Sequence, residues 1–202
     1  SSENLFEISF EGKGGHAALP HMAKDAITIG SQIISALQTI VSRKLDPVEN
    51  GVVSVTEFIT DGKKNILAGN GLIKGDARAL SDKSNKIIET NMRQIVKGIC
   101  DTYGITYNVS YKTTCPVTFN ETSQAESATK AAINLLGEEN SNGNIEPRLF
   151  SEDFSIMSSK KPGCFVLMGN GISGSYSKPL HASDYDFNDK LLVIGSSYWT
   201  EL

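Results

Sequence analysis

The chain has 202 residues, of which 39% are hydrophobic and 21% charged, and a formal net charge of −4. That balance belongs to a globular protein long enough to bury a core, and with basic residues only in separate pairs, Arg43-Lys44 and Lys63-Lys64, it excludes a nucleic-acid surface. No run reaches the roughly 18 apolar residues of a membrane span, the opening Ser1-Ser2-Glu3-Asn4 lacks the features of a signal peptide, and Cys100, Cys115 and Cys164 fit neither a disulfide framework nor a CxxC knuckle, so a reducing cytoplasm is the simplest setting.

Leu5, Glu7 and Ser9 alternate with Phe6, Ile8 and Phe10, which predicts a half-buried strand. It runs into Gly12-Lys13-Gly14-Gly15-His16-Ala17-Ala18-Leu19-Pro20-His21, a stretch holding two of the three histidines at a strand-to-helix junction. Its glycines permit close backbone approach and Pro20 keeps the turn out of the helix. Two readings fit: a constrained pair of working imidazoles, or a turn with one solvent histidine and one helix-capping histidine. Ala26, Ile33, Ile34, Leu37, Ile40 and Val41 then recur at helical spacing, with Asp25 in the first turn, and Asp46-Pro47 ends that helix.

Val53, Val55, Glu57 and Ile59 read as a strand, Asp61-Gly62 as a turn, and residues 72–80 as a second extended stretch. Capped by Ser81 or Asp82, a second helix carries Ile88, Met92, Ile95, Val96, Ile99 and Tyr103 on one face and closes at Gly104. Tyr107, Val109 and Tyr111 alternate as a further strand. Strand, helix, strand, strand, helix, strand is the split βαβ arrangement, so residues 4–114 are expected to form an α+β, ferredoxin-like domain with a free sheet edge that suits a partner.

Beyond Cys115-Pro116, Ser123 with Glu126 predicts a capping box for a helix through Ala128, Ala131, Ala132, Leu135 and Leu136, ended by Gly137. Residues 138–147 read as loop and residues 165–168 as a short buried strand; Leu191, Ile194, Tyr198 and Trp199 mark a last helix. Residues 115–202 are thus less than half of a layered α/β domain. Gly169-Asn170-Gly171-Ile172-Ser173-Gly174 matches GxGxxG, but Ser175-Tyr176-Ser177-Lys178-Pro179 supplies no helix for a pyrophosphate, so the segment reads as a flexible loop. No GxSxG elbow and no GK[ST] ending occur. His181, followed by Asp184, Asp186 and Asp189, has the chemistry of a metal ligand with a nearby acid to fix its tautomer; helix capping by Asn188 or Asp189 accounts for part of that acidity without a metal.

Taken together, the glycine-histidine stretch, Leu37-Gln38-Thr39-Ile40-Val41-Ser42-Arg43, Asn65-Ile66, Lys74-Gly75-Asp76-Ala77-Arg78, Ser151-Glu152-Asp153-Phe154-Ser155 and the segment from Pro179 to Asp189 resemble the metal-dependent amidohydrolase/carboxypeptidase family, which includes hippurate hydrolases, N-acyl-amino-acid deacylases and indole-acetyl-amino-acid hydrolases. The resemblance implies a ferredoxin-like lid and dimerisation domain over residues 4–114 and, over 115–202, the C-terminal part of an α/β zinc-exopeptidase catalytic domain. It implies His181 as a metal ligand and His16 as the lid histidine that stabilises the oxyanion, often in a neighbouring subunit's site. Asn65 and Arg78 match positions that hold the substrate's carboxylate or the tetrahedral intermediate, although the usual Gly-Thr-x-Arg reads Gly75-Asp76-Ala77-Arg78 here. The other metal ligands and the catalytic Glu of the family lie upstream of anything in this sequence. The expectation is therefore a homodimeric hydrolase of N-acyl amino acids or peptides using Zn, Mn or Co, of which these 202 residues are a fragment inactive alone. A dimerisation module with no catalytic role, or a metal-free binding domain, are the other readings; none involves nucleic acid or a membrane.

Overall fold

The computed structural model describes Ser1–Leu202. In chain order the elements are β1 (Ser2–Glu11), β2 (Gly15–His16), α1 (Ala26–Arg43), β3 (Gly51–Thr60), β4 (Ile66–Leu67), β5 (Asn70–Ala79), α2 (Asp82–Tyr103), β6 (Thr106–Cys115), α3 (Thr122–Leu136), α4 (Phe154–Ser158) and α5 (Leu191–Glu201). By packing, Ser1–Thr118 with Pro147–Ile156 form one unit and Phe119–Glu146 with Met157–Leu202 another. Division at 114/115, as read from the sequence, leaves out the return of Pro147–Ile156 to the first unit.

The first unit is built on a four-stranded antiparallel sheet in the order β3-β5-β1-β6, the ferredoxin-like order, with α1 and α2 on one face. β1 is central, and its alternation puts Phe6, Ile8 and Phe10 under the helices while Leu5, Glu7 and Ser9 face outward. Those rings meet Ala26, Ile29, Ile33, Leu37 and Ile40 of α1 and Ile88, Met92, Val96 and Cys100 of α2 in one core. Glycine on β5 makes room for them: a Cβ at Gly75 would lie 2.3 Å from the Phe6 ring, and one at Gly71 2.2 Å from that of Phe10. Burial pushes the Cys100 thiol up to about 11, which keeps it a neutral core side chain, and all three cysteines are free.

The helix ends follow local chemistry. Asp25 is the N-cap of α1 rather than a first-turn residue, accepting from the amides of Ile27 and Thr28; Ser81 caps α2 through the Ser84 amide. Gly104 ends α2 at φ +58°, where a side chain is strained. No helix is long and apolar enough to cross a membrane.

In the second unit α3 packs against α5, with the Tyr198 hydroxyl donating to the Ala128 carbonyl at 3.2 Å. Two expectations are corrected here. Glu121, not Ser123, caps α3: its carboxylate accepts from the Ser123 and Gln124 amides, because its position one residue before the helix puts its oxygens over the first free N–H groups. Residues 165–168 form no strand, and Val166, Leu167 and Met168 are exposed, since no neighbouring strand is present to pair with them. Ile172, Val193 and Trp199 are also open to solvent.

Ile73 lies fully buried at the middle of the sheet, so Ile73→Ala is expected to lower unfolding free energy by about 2–5 kcal/mol. Denaturant melts followed by circular dichroism measure it; a loss under about 1 kcal/mol places Ile73 outside the cooperative core.

Candidate functional site

The glycine-histidine stretch is held by backbone contacts that leave no space for side chains. Lys13 and Lys24 bridge each other through N–H to carbonyl bonds of 3.0 and 2.8 Å, closing the loop between them. The Gly12 amide donates to the Gly69 carbonyl at 2.8 Å. A Cβ at Gly12 would sit 2.3 Å from the Lys24 carbonyl oxygen, and one at Gly14 2.9 Å from that of Leu67. These glycines are therefore required by approach rather than by a left-handed backbone.

Within the loop, β2 pairs with β4 as a two-stranded ribbon, Gly15 opposite Leu67 and His16 opposite Ile66. The Ala17 amide donates to the Asn65 carbonyl at 3.1 Å. His16 and Asn65 are thus neighbours on one ribbon, both exposed. His16 Nδ1 accepts the Ala18 amide proton at 3.1 Å. A ring nitrogen that accepts holds no proton, so in the neutral imidazole the proton is on Nε2, which is then the ring's donor. His21 lies in the 3-10 turn Pro20–Met22 and is exposed; the capping of α1 falls to Asp25, so His21 is not a helix cap.

Asp61 seats the ribbon, a residue the sequence marked merely as a turn former. Its Oδ1 accepts the amides of Gly69 at 2.8 Å and Asn70 at 3.0 Å, and its Oδ2 the Asn70 side-chain amide at 2.7 Å. The Asn70 backbone bond first, then the Asn70 side chain, hold the Asp61 carboxyl below its ordinary range. The Asp-Gly pair gave a turn signal; nothing local announced that the carboxylate reaches residues eight and nine positions on.

Arg78 lies near the other end of β5, opposite Glu3 of β1, where β5 begins at Asn70 beside the ribbon. At about 3.4 Å per residue, β5 separates the two ends by more than 25 Å. The guanidinium is bonded to Asp76, Glu3 and Ser151. Burial draws its pKa down, but the Asp76 and Glu3 carboxylates outweigh that and raise it above the ordinary value.

His181 belongs to the second unit, is exposed, and has φ +69°, the one non-glycine residue with positive φ. A left-handed non-glycine backbone carries strain of about 1–2 kcal/mol. The surrounding loop is ordered by Asn170, which the sequence placed in a flexible segment. Its side-chain amide donates to the Tyr176 and Asp186 carbonyls at 3.0 and 2.8 Å, and its oxygen accepts the Asn188 amide at 2.9 Å. Ahead of α5, Asn188 Oδ1 accepts the Lys190 amide at 3.3 Å, as the capping reading expects, whereas Lys190 itself makes no side-chain cap bond. No three His, Cys, Asp or Glu side chains are grouped as a metal site anywhere in the chain. His181 therefore lacks companion donors, and the residues present do not by themselves fit a metal ion.

A four-stranded antiparallel sheet under two helices, with a short ribbon at one end, is the fold of a peptidase dimerisation domain. The family model of the M20 peptidase dimerisation domain matches residues 5–103, and that part of the chain is such a domain. It is 36% identical over 202 residues to the hippurate hydrolase of Campylobacter jejuni, covering 100% of this chain and 52% of that protein. To the N-acetylcysteine deacetylase of Bacillus subtilis it is 30% identical over 202 residues, covering 100% and 51%. The crystal structure of an aminohydrolase from methicillin-resistant Staphylococcus aureus matches with a TM-score of 0.86 at 32% identity, over 99% of this chain and 50% of that one. A dinuclear metal-binding M20 peptidase from Bacillus subtilis shares the fold, with a TM-score of 0.77 at 24% identity over 99% of this chain and 48% of that one. The chain spans about half the length of the curated relatives it matches.

Because the folded-state pKa of Asp61 is depressed, its contribution is present above the unfolded value of 3.8 and is lost as pH falls through the lower folded value. Asp61→Asn is expected to speed exchange of the Gly69 and Asn70 amides at pH 7 by about tenfold and to remove the loosening that the native ribbon undergoes below pH 3.8. Amide exchange by NMR checks both; unchanged exchange at pH 7 excludes Asp61 as the clamp.

Proposed function

We propose that this chain is the lid and the C-terminal portion of a metal-dependent hydrolase that cleaves the amide bond of N-acyl amino acids or a C-terminal peptide bond, and that it has no turnover alone. The observation that carries the reading is His16, held on a ribbon of a peptidase dimerisation domain with Nε2–H as its free donor. The relatives' activities, hippurate hydrolysis and N-acetylcysteine deacetylation, supply the substrate class.

In this reading His16 donates to the oxyanion that forms when the amide carbonyl is attacked, the point at which a fixed donor lowers a barrier most. Asn65 stands next to it on the same ribbon to orient the substrate's polar end. A divalent ion, Zn, Mn or Co, would supply Lewis-acid polarisation of the carbonyl in the whole protein. His181 contributes at most one of its ligands, and the others lie outside these residues. The exposed apolar side chains Val166, Leu167, Met168, Ile172 and Val193 support the same view, since so many large apolar side chains in one unit are normally covered.

The other half of the proposal is a homodimer, which the match to a peptidase dimerisation domain supports. The pairing edge is assigned to β3. At the opposite edge, Arg93 of α2 donates to the Val109 carbonyl of β6 at 2.8 Å and covers that strand. Beside β3, α1 presents Ile27 and Val41 exposed, with Ile34 half-buried between them, at seven-residue spacing along one face. The reading in which the chain is a pairing module without catalysis differs in one outcome, the effect of His16.

Three measurements follow. With Zn²⁺, Mn²⁺ or Co²⁺ and N-benzoylglycine the 202-residue chain is expected to show no turnover above background; turnover abolished by His181→Ala overturns its inactivity. In the whole protein His16→Ala should lower kcat by about 10²–10³ with little change in KM, and an unaltered kcat would leave the pairing module standing. Sedimentation equilibrium at micromolar concentration should give a dimer that Ile27→Lys with Val41→Lys weakens by at least about tenfold in Kd; a monomeric native chain refutes the dimer.

A further inference from the structure

The ribbon that carries His16 holds a second side chain on the same face. His16 of β2 stands opposite Ile66 of β4, and residues directly opposite each other in an antiparallel pair put their side chains on one face of it. The pair is of the close kind. Both backbone groups of Ile66 are spent on Lys63 across the turn, the amide donating to the Lys63 carbonyl at 3.1 Å and the carbonyl accepting the Lys63 amide at 3.0 Å. The flanking bond between the two chain segments runs from the Ala17 amide to the Asn65 carbonyl at 3.1 Å. His16 and Ile66 are therefore a pair without backbone bonds of its own, the kind in which the Cα atoms are about 4.5 Å apart and the side chains within reach of each other.

Ile66 is 46% exposed, so much of its branched side chain is open beside the imidazole. Little competes with it there: Gly14, two residues before His16, has no side chain, and Ala68, two residues after Ile66, is fully buried. Lys63 is bridged to Ile66 from the other side and is exposed; its aliphatic stem widens the apolar strip while its ammonium stays in water. Leu19 and Met22, both exposed, add apolar surface on the loop that follows His16.

We propose that Ile66 selects the acyl group of the substrate, favouring a bulky apolar one, aroyl or branched alkanoyl, over acetyl. The inference rests on the reading of His16 as donor to the substrate's carbonyl oxygen. The acyl group is bonded to that same carbonyl carbon, so it lies against whatever stands beside the imidazole. Of the two halves of an N-acyl amino acid, the amino-acid half carries a carboxylate, which an isoleucine would desolvate without offering a partner. The acyl half has no such charge, and covering Ile66 with it removes apolar surface of both from water. The same contact keeps water from the His16 N–H, which strengthens its bond to the oxyanion.

The test compares kcat/KM for N-benzoylglycine and N-acetylglycine in the whole protein. The native protein is expected to favour the benzoyl substrate by at least about tenfold, Ile66→Ser to lower that ratio by at least about fivefold, and Ile66→Leu, which keeps the apolar bulk, to hold it within about twofold. A native preference for acetyl, or a ratio unmoved by Ile66→Ser, overturns the proposal. Lys63→Met removes the charge but keeps the stem and should leave the ratio alone; a fall there assigns the preference to the ammonium and overturns Ile66 as the selector. The shared face is checked without turnover: in the 202-residue chain a nuclear Overhauser contact between the His16 ring and the Ile66 methyl groups is expected, and its absence overturns the pairing. Hydrolysis of both amides with a ratio indifferent to Ile66 removes the selector and leaves the hydrolase reading standing. The Overhauser contact with neither amide hydrolysed removes the hydrolase reading and the selector with it.

Discussion

β1 is hydrogen-bonded along both edges, to β5 and to β6, and this double pairing fixes what happens at each of its ends. Its inward residues, Phe6, Ile8 and Phe10, anchor the core beneath both helices, so the strand cannot slip by one residue without turning that row outward. One end passes directly into Gly12, where contact with Lys24 and Gly69 dictates the path that carries His16. The other end brings Glu3 onto Arg78. The ribbon and the arginine cluster are thus held apart by a rigid element, each with its own chemistry.

That separation bears on the proposed function. A small N-acyl amino acid, the substrate class proposed, is far shorter than the roughly 25 Å or more between the ends, so His16 and Arg78 of one copy would not meet the same molecule. The ribbon end offers a neutral N–H and an amide, groups suited to a polarised carbonyl. At the far end the arginine is balanced by Asp76 and Glu3 and tied to Ser151.

Much of the first unit was legible because its signals are periodic. Phe6, Ile8 and Phe10 alternate, Ile33, Leu37 and Ile40 recur at helical spacing, and Gly104 terminates α2 where the pattern stops. The ribbon of β2 and β4 was not legible as secondary structure, because two residues per strand establish no period; the glycines and histidine marked its place without its pairing. Asp61, Asn170 and Glu121 were missed for a shared reason: each acts through side-chain bonds to backbone amides or carbonyls, and no hydrophobic pattern records such a bond. The apolar run of Phe165, Val166, Leu167 and Met168 misled in the opposite direction. Composition favours a strand there, yet a strand needs a neighbour for its N–H and C=O groups, and none is present in these residues.

The two loops bearing the histidines show different routes to a fixed imidazole. At His16 the backbone is relaxed and the ring is oriented by the Ala18 amide, so one hydrogen bond decides which nitrogen carries the proton. At His181 the strain is in the backbone itself, at φ +69°, while Asn170 holds the nearby chain at Tyr176, Asp186 and Asn188. Strain of this kind persists only where surrounding bonds over-determine it. Next to His181 itself, the Ala182 amide donates to the Pro179 carbonyl at 3.2 Å and closes the turn around it, while at His16 a neighbour two positions on decides which ring nitrogen carries the proton.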